Sequence, residues 1–169
     1  MPEVWLLGSS GQSAAWAGVH DLNYAYAQFF TGHQQVEIMN HYRAHLPEGS
    51  GRGSIHGGQT LSALCVSAAA TREEAREQAL VAADARFSLR TGRPMRFRDP
   101  ATLDAAYRAE VERYLERDTA IIVGTYDEVA QALSSFAENH GTEEVMLISY
   151  IDDVEVRTHQ YAELAARLL

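Results

Sequence analysis

The sequence predicts an α/β fold with parallel strands, and three observations predict it. Short, wholly apolar runs of the kind found in strands buried on both faces recur along the chain. Stretches with helical spacing of apolar residues alternate with them, and capping boxes and glycine stops mark where several helices begin and end. Strands that alternate with helices run parallel and are joined by crossovers. At 169 residues and 46% hydrophobic content, the chain suffices for a single domain over residues 1–169 with a sizeable core.

The first apolar run, residues 4–7, ends abruptly in Gly8-Ser9-Ser10-Gly11-Gln12-Ser13, and helical spacing follows over 13–20 with Ala14, Trp16, Ala17 and Val19. This reads as strand, turn, helix. Asp21 and Asn23 flank a second strand over 22–27, where Tyr24 and Tyr26 alternate with alanines, and Phe29 and Phe30 stand at its end. A second helix over 33–45 carries Val36, Ile38, Met39 and Tyr42, and Pro47 closes it. Residues 48–58 hold five glycines among Ser, Arg and His and read as a mobile loop. Small and apolar residues over 59–70 form a third buried strand, and Thr71 and Glu74 have capping-box spacing for a long helix reaching about Thr91. Gly92 stands where a left-handed C′ residue is expected, and Pro94 forbids continuation.

An irregular basic segment over 93–100 leads to a helix over 101–117, with Leu103, Ala106, Tyr107, Val111, Tyr114 and Leu115 on one stripe. Residues 120–123 are a short extended run ending at Gly124, and Thr125-Tyr126-Asp127-Glu128 is a second capping box. The helix it opens carries Val129, Leu133 and Phe136 and stops at Gly141. Residues 144–148 make a fourth buried strand and 154–168 a terminal helix, with Asp152 and Asp153 favouring its amino-terminal end. Four strand–helix units, with extra helices before the last strand, are half of an eight-unit TIM (β/α)8 barrel.

The composition excludes several function classes. The formal charge of −9 comes from 23 acidic against 14 basic side chains, and the arginines are scattered instead of forming a stripe, so nucleic acid is not an expected partner. The single cysteine, Cys65, lies in an apolar run and reads as a buried thiol, which fits the cytosol. There is no basic leader and no uninterrupted apolar span of membrane length, so neither secretion nor membrane insertion is expected. His41 and His45 are four apart on a helix, but no third ligand has suitable spacing and no metal is expected. His33, His56, His140 and His159 are isolated, and no Ser-His-Asp order or nucleophile elbow is present.

The turn at 8–13 carries the chemistry. A strand-to-helix turn aims free first-turn amides at whatever lies above the strand, and Ser9, Ser10 and Ser13 add hydroxyl donors there. Gly8 and Gly11 permit positive φ and close approach of a ligand. That describes a phosphate site, and it equally describes an ordinary Ser N-cap before a packed helix. No P-loop lysine follows, and the spacing is not that of a dinucleotide fingerprint.

Several stretches together resemble the bacterial-luciferase-like, flavin-dependent monooxygenases, which are TIM barrels. Pro2-Glu3-Val4-Trp5-Leu6-Leu7-Gly8-Ser9-Ser10 resembles the family's fifth strand and turn, and residues 22–30 its sixth strand with a terminal aromatic pair. Ala68-Ala69-Ala70-Thr71-Arg72-Glu73-Glu74-Ala75 is similar to the seventh strand entering its helix. Val123-Gly124-Thr125-Tyr126-Asp127-Glu128-Val129 resembles the segment before the last strand, Glu143-Glu144-Val145-Met146-Leu147 the last strand itself, and residues 157–166 the closing helix. The resemblance covers essentially the whole chain, as the family's carboxy-terminal half.

It implies reduced FMN as cofactor, with Gly8, Ser9, Ser10 and Ser13 at its phosphate and Phe29 and Phe30 near the isoalloxazine or substrate cavity. It implies an oxidoreductase that oxidises a small organic substrate, an aldehyde or ketone, with oxygen. A complete barrel of this type needs about 250 residues, and the segments corresponding to strands one to four lie outside these 169 residues. With them go, by the same resemblance, a histidine that assists oxygen chemistry and the arginines that contact the FMN phosphate; Arg52, in the glycine loop, is a candidate replacement. Catalysis therefore calls for a completed barrel. Unclosed strands expose hydrogen-bonding edges that must be covered, either by a second copy in a homodimer or by a complementary amino-terminal half-barrel. The alternative is a self-assembling half-barrel that binds flavin or phosphate without turnover, or is a structural remnant.

Overall fold

The computed structural model describes residues 3–32, 35–50, 57–142 and 144–169. Along them strands and helices alternate: β1 (Trp5–Gly8), α1 (Gly11–Val19), β2 (Asn23–Ala27), α2 (Gln28–Thr31), α3 (Val36–Ala44), β3 (Thr60–Ala69), α4 (Arg72–Arg90), a 3₁₀ turn (Pro100–Thr102), α5 (Ala105–Leu115), β4 (Ile121–Thr125), α6 (Tyr126–His140), β5 (Glu144–Ile148) and α7 (Val154–Leu168). β1 pairs parallel with β2, Trp5 opposite Asn23 through Gly8 opposite Tyr26. β2 pairs parallel with the first half of β3, Tyr24 opposite Thr60 through Ala27 opposite Ala63. The second half of β3 pairs parallel with β4, Cys65 opposite Ile121 through Ala69 opposite Thr125, and β5 also pairs with β3. Residues 61–69 of β3 are all buried, which is why that strand reads as a continuous apolar and small-residue run with no polar alternation.

Two compact units divide the chain: Met1–Leu64 with Ser135–Leu147, and Cys65–Ser134 with Ile148–Leu169. In the first, tyrosines hold backbone. Tyr24 and Tyr42 stack with ring centroids 5.4 Å apart. The Tyr42 hydroxyl donates to the Leu22 carbonyl (2.8 Å) and accepts from the Gly58 amide (2.9 Å). Asp21 adopts left-handed φ (53°), and its Oδ1 accepts from Ser50 Oγ (2.5 Å) and the Gly57 amide (3.1 Å), so both flanks of the glycine loop are tied to one carboxylate. Arg43 Nη2 donates to the carbonyls of His140 (2.8 Å) and Gly141 (2.7 Å), satisfying acceptors that α6 leaves open at its end.

In the second unit, arginine–carboxylate pairs do the corresponding work. Arg86 grips Asp118 and Arg98 grips Asp84, each through two guanidinium nitrogens, and Asp84 is fully buried. Arg72 pairs with Glu128, Arg76 with Glu116, Arg108 with Glu77 and Glu112, and Arg167 with Asp127 and Glu163. Gln160 of α7, buried, accepts from the Ala68 amide of β3 (2.7 Å).

Most start and stop signals hold. Thr71 Oγ1 accepts from the Glu74 amide (3.2 Å), and Thr125 and Glu128 form a reciprocal box, Glu128 Oε2 accepting from the Thr125 amide (2.9 Å). Gly92 and Gly141 are left-handed at φ 72° and 57°, and Asp153 caps α7 through the amides of Glu155 and Val156. Cys65 is buried, and burial pushes its thiol up to about 12. Three readings are corrected. The run at 120–123 is part of a full strand, β4, so the sheet has five strands among the described residues. Phe29 and Phe30 belong to α2, because the chain coils immediately after Ala27 instead of extending. The helix read over 101–117 begins at Ala105, where Asp104 caps it by accepting from the Tyr107 amide (2.9 Å), and the preceding residues form the 3₁₀ turn behind Asp99.

Candidate functional site

The turn between β1 and α1 is built by reciprocal capping. Ser10 is the extended N-cap of α1; its Oγ accepts from the Ser13 amide (3.2 Å), and Ser13 Oγ accepts from the Ser10 amide (3.2 Å). Ser13 Oγ also donates to the Ser10 carbonyl (2.8 Å). A helix leaves its first amides without intrahelical partners. Of the three at Gly11, Gln12 and Ser13, the capping serine takes only the last. The amides of Gly11 and Gln12 and the Ser9 hydroxyl therefore remain open to an anion, whereas the Ser10 hydroxyl lies 3.2 Å from Ser13 Oγ and donates to it, since the Ser13 proton goes to the Ser10 carbonyl.

Tyr24 fixes this turn from the neighbouring strand. Its hydroxyl donates to the Gly8 carbonyl (3.0 Å) and lies 3.2 Å from Ser13 Oγ. Burial pushes the Tyr24 hydroxyl above its ordinary range, so it stays a neutral donor. The sequence reading missed this residue; its signal was a strand in which two tyrosines share one face.

The glycines act differently from the sequence expectation, because neither Gly8 nor Gly11 has positive φ. Gly8 is required by close approach: a Cβ there falls 2.2 Å from Ser13 Oγ and 2.4 Å from Ser13 Cβ, so any side chain displaces the capping serine. A Cβ on Gly11 meets only His41 Cδ2, at 3.6 Å, which leaves the face of the first turn open and brings a histidine of α3 beside it. The residues present fit a phosphate through amides and hydroxyls, with no arginine among them.

β1 and β2 run parallel with Gly8 opposite Tyr26, so the turn and α2 leave their strands at the same end. Phe30 is 65% exposed and Phe29 half-buried there. In the barrel fold that end is the one where ligands bind. His41 and His45 lie with ring centroids 4.5 Å apart, and His45 Nδ1 is 2.8 Å from the His41 carbonyl. Among the described residues no group of three His, Cys, Asp or Glu is placed to hold a metal ion, and no helix is long and apolar enough to cross a membrane. His33, Arg52 and His56 lie outside the described residues.

No family model matches the chain. It is 27% identical over 172 residues to the N-acetyl-S-alkylcysteine monooxygenase of Bacillus subtilis (strain 168), covering 99% of this chain and 50% of that protein. The crystal structure of apo-MsnO8 superposes with a TM-score of 0.79 at 27% identity, over 98% of this chain and 50% of the other. The oxygenating constituent of 3,6-diketocamphane monooxygenase from Pseudomonas putida, a type II Baeyer-Villiger monooxygenase solved with FMN, shares the fold with a TM-score of 0.58 at 17% identity, over 99% and 49%. The chain thus spans about half the length of the relatives it matches. Its parallel βαβ units are those of half a TIM barrel, and its resemblance is to the luciferase-like flavin monooxygenases.

Proposed function

We propose that this chain, similar to luciferase-like flavin monooxygenases over about half their length, is the part of such an oxygenase that holds the FMN phosphate. The observation that carries the reading is the β1–α1 turn, where two uncapped amides follow Ser9 at the strand end. Amides at a helix amino terminus bind a phosphate dianion without a cationic side chain, through directed N–H groups and the helix dipole. Gly11 and Gln12 contribute those amides, Ser9 adds a hydroxyl donor, and Ser10, Ser13 and Tyr24 keep the turn in register. Phe29 and Phe30 supply apolar surface at the same end and help exclude water from a ligand lying over it.

Reduced FMN, when bound, supplies the electrons with which oxygen is activated toward a small organic substrate; the protein binds, orients and excludes water. The remainder of the barrel comes from a complementary half-barrel, whether on the same polypeptide or on a second chain. Leu7 and Met146, 60% and 53% exposed on strands of the first unit, are apolar surface for it to cover.

The test is the mass and visible spectrum of the purified protein, with oxygen uptake on reduced FMN measured before and after a complementary half-barrel is added. Uptake that appears only in the completed assembly supports the proposal. A stable homodimer that never turns over, even with the complement present, favours the non-catalytic reading.

A further inference from the structure

The second unit contains a cavity of about 400 Å³ lined by Arg93, Arg96, Arg98, Ser88, Tyr107 and one carboxylate, Asp104, among others; Asp104 is engaged as the cap of α5, accepting from the Tyr107 amide. It belongs to the segment after α4 and lies apart in sequence from the serine turn. All 14 basic side chains of the protein are arginines, against 23 acidic ones, and three of them line this one cavity. Among the described residues Arg86, Arg98 and the other arginines with ion pairs are matched to carboxylates, whereas Arg93 and Arg96 are exposed and have no such partner.

The wall behind these two arginines is preorganised. Asp84, fully buried in α4, holds Arg98 at 2.8 and 2.5 Å and accepts from the Tyr107 hydroxyl at 2.8 Å; Ser88 Oγ lies 3.1 Å from that hydroxyl. A buried carboxylate is stable only when its bonds are filled, and Asp84 has them, so the segment carrying Arg98 is pinned to α4. The end of α4 sets the other side: Gly92 is left-handed and the Arg93 amide donates to the Ser88 carbonyl (2.8 Å). The Arg93 guanidinium lies 5.1 Å from the Tyr107 ring centroid, a cation–π contact that limits its freedom. Phe97 stacks on Tyr150 at 5.2 Å, anchoring the residue between Arg96 and Arg98. Ordering these side chains in advance reduces what a ligand must order on binding.

We infer that this cavity binds a small organic polyanion with two oxyanion groups, a phosphorylated or dicarboxylate metabolite, through Arg93 and Arg96 on the Asp84–Arg98–Tyr107 wall. Guanidinium forks recognise carboxylate and phosphate in the same bidentate manner, and two forks without a carboxylate partner match two such groups. The volume is that of a small-molecule site.

Isothermal titration of the purified chain with pyrophosphate and with succinate, at fixed ionic strength, tests this. Saturable one-to-one binding of either probe is expected. Binding of pyrophosphate alone assigns the phosphate class, and binding of succinate alone the dicarboxylate class. The double variant Arg93→Ala/Arg96→Ala should weaken it at least tenfold. Arg113→Ala/Arg117→Ala, which removes the same charge outside the cavity, should leave it unchanged. Absence of saturable binding by both probes, or equal weakening in the two double variants, overturns the inference.

Discussion

The two units of this protein are held by different chemistry. In the first, Tyr24, Tyr42, Asp21 and Arg43 bond to backbone groups, so the polar contacts fix turns and helix ends. In the second, charged side chains bond to each other, with the Asp84–Arg98 and Asp118–Arg86 pairs withdrawn most fully from water. The contrast extends to the two proposed anion sites, which offer amides and hydroxyls at the serine turn and guanidiniums at the arginine cavity. A site of amides costs no buried charge but demands exact backbone placement, and a site of arginines needs only a rigid wall.

The largest effect is expected where a buried charge loses its partner. Asp84→Ala leaves Arg98 and the Tyr107 hydroxyl without the carboxylate they share, and should destabilise the protein by about 3–4 kcal/mol in a urea melt. A loss below about 1 kcal/mol would mean that the pair is not structural. Tyr24→Phe removes a hydrogen bond to backbone and leaves packing intact; it should cost about 1 kcal/mol. If the two substitutions cost the same, the distinction between the units fails.

Acid should separate the units by pH window. Burial holds the His140 imidazole below its ordinary 6.5, against the opposing hydrogen bond to the Phe136 carbonyl. The unfolded chain then binds the proton more readily, so the stability this residue contributes is complete above 6.5 and declines as pH falls from there toward the lower folded value. Burial of Asp118 opposes its charge, but hydrogen bonds from Arg86 and the Ala120 amide outweigh that and hold its carboxyl below 3.8. Its contribution is complete above 3.8 and is lost as pH falls through the folded value. Hydrogen exchange followed by mass spectrometry should show α3 and β5 losing protection before α4 as the solution is acidified. The reverse order would contradict these assignments.

Much of the fold was legible in the sequence because its signals are local. The apolar run at 59–70, Gly92 followed by Pro94, and the Thr125–Glu128 box each act within a few residues. β4 was harder to read, since Ile121–Thr125 is short and its status as a strand depends on pairing with the distant Cys65–Ala69 segment. The serine turn was visible as an anion-type turn, but the role of Gly8 was not: what excludes a side chain there is the capping Ser13, a contact set by how α1 folds back. Tyr24 and the Asp84–Arg98–Tyr107 wall escaped for the same reason, as each joins residues more than ten positions apart.

The central claim is that the turn after β1 recognises the flavin phosphate. Affinities for FMN and for riboflavin, which lacks that phosphate, measured by fluorescence quenching on the assembled protein and on its Gly8→Ala variant, test it most directly. The expected result is FMN binding at least tenfold tighter than riboflavin, with the preference collapsing when Gly8→Ala displaces Ser13 and riboflavin affinity little changed. Equal affinity for the two flavins in the unsubstituted protein, or a preference that survives Gly8→Ala, would contradict it.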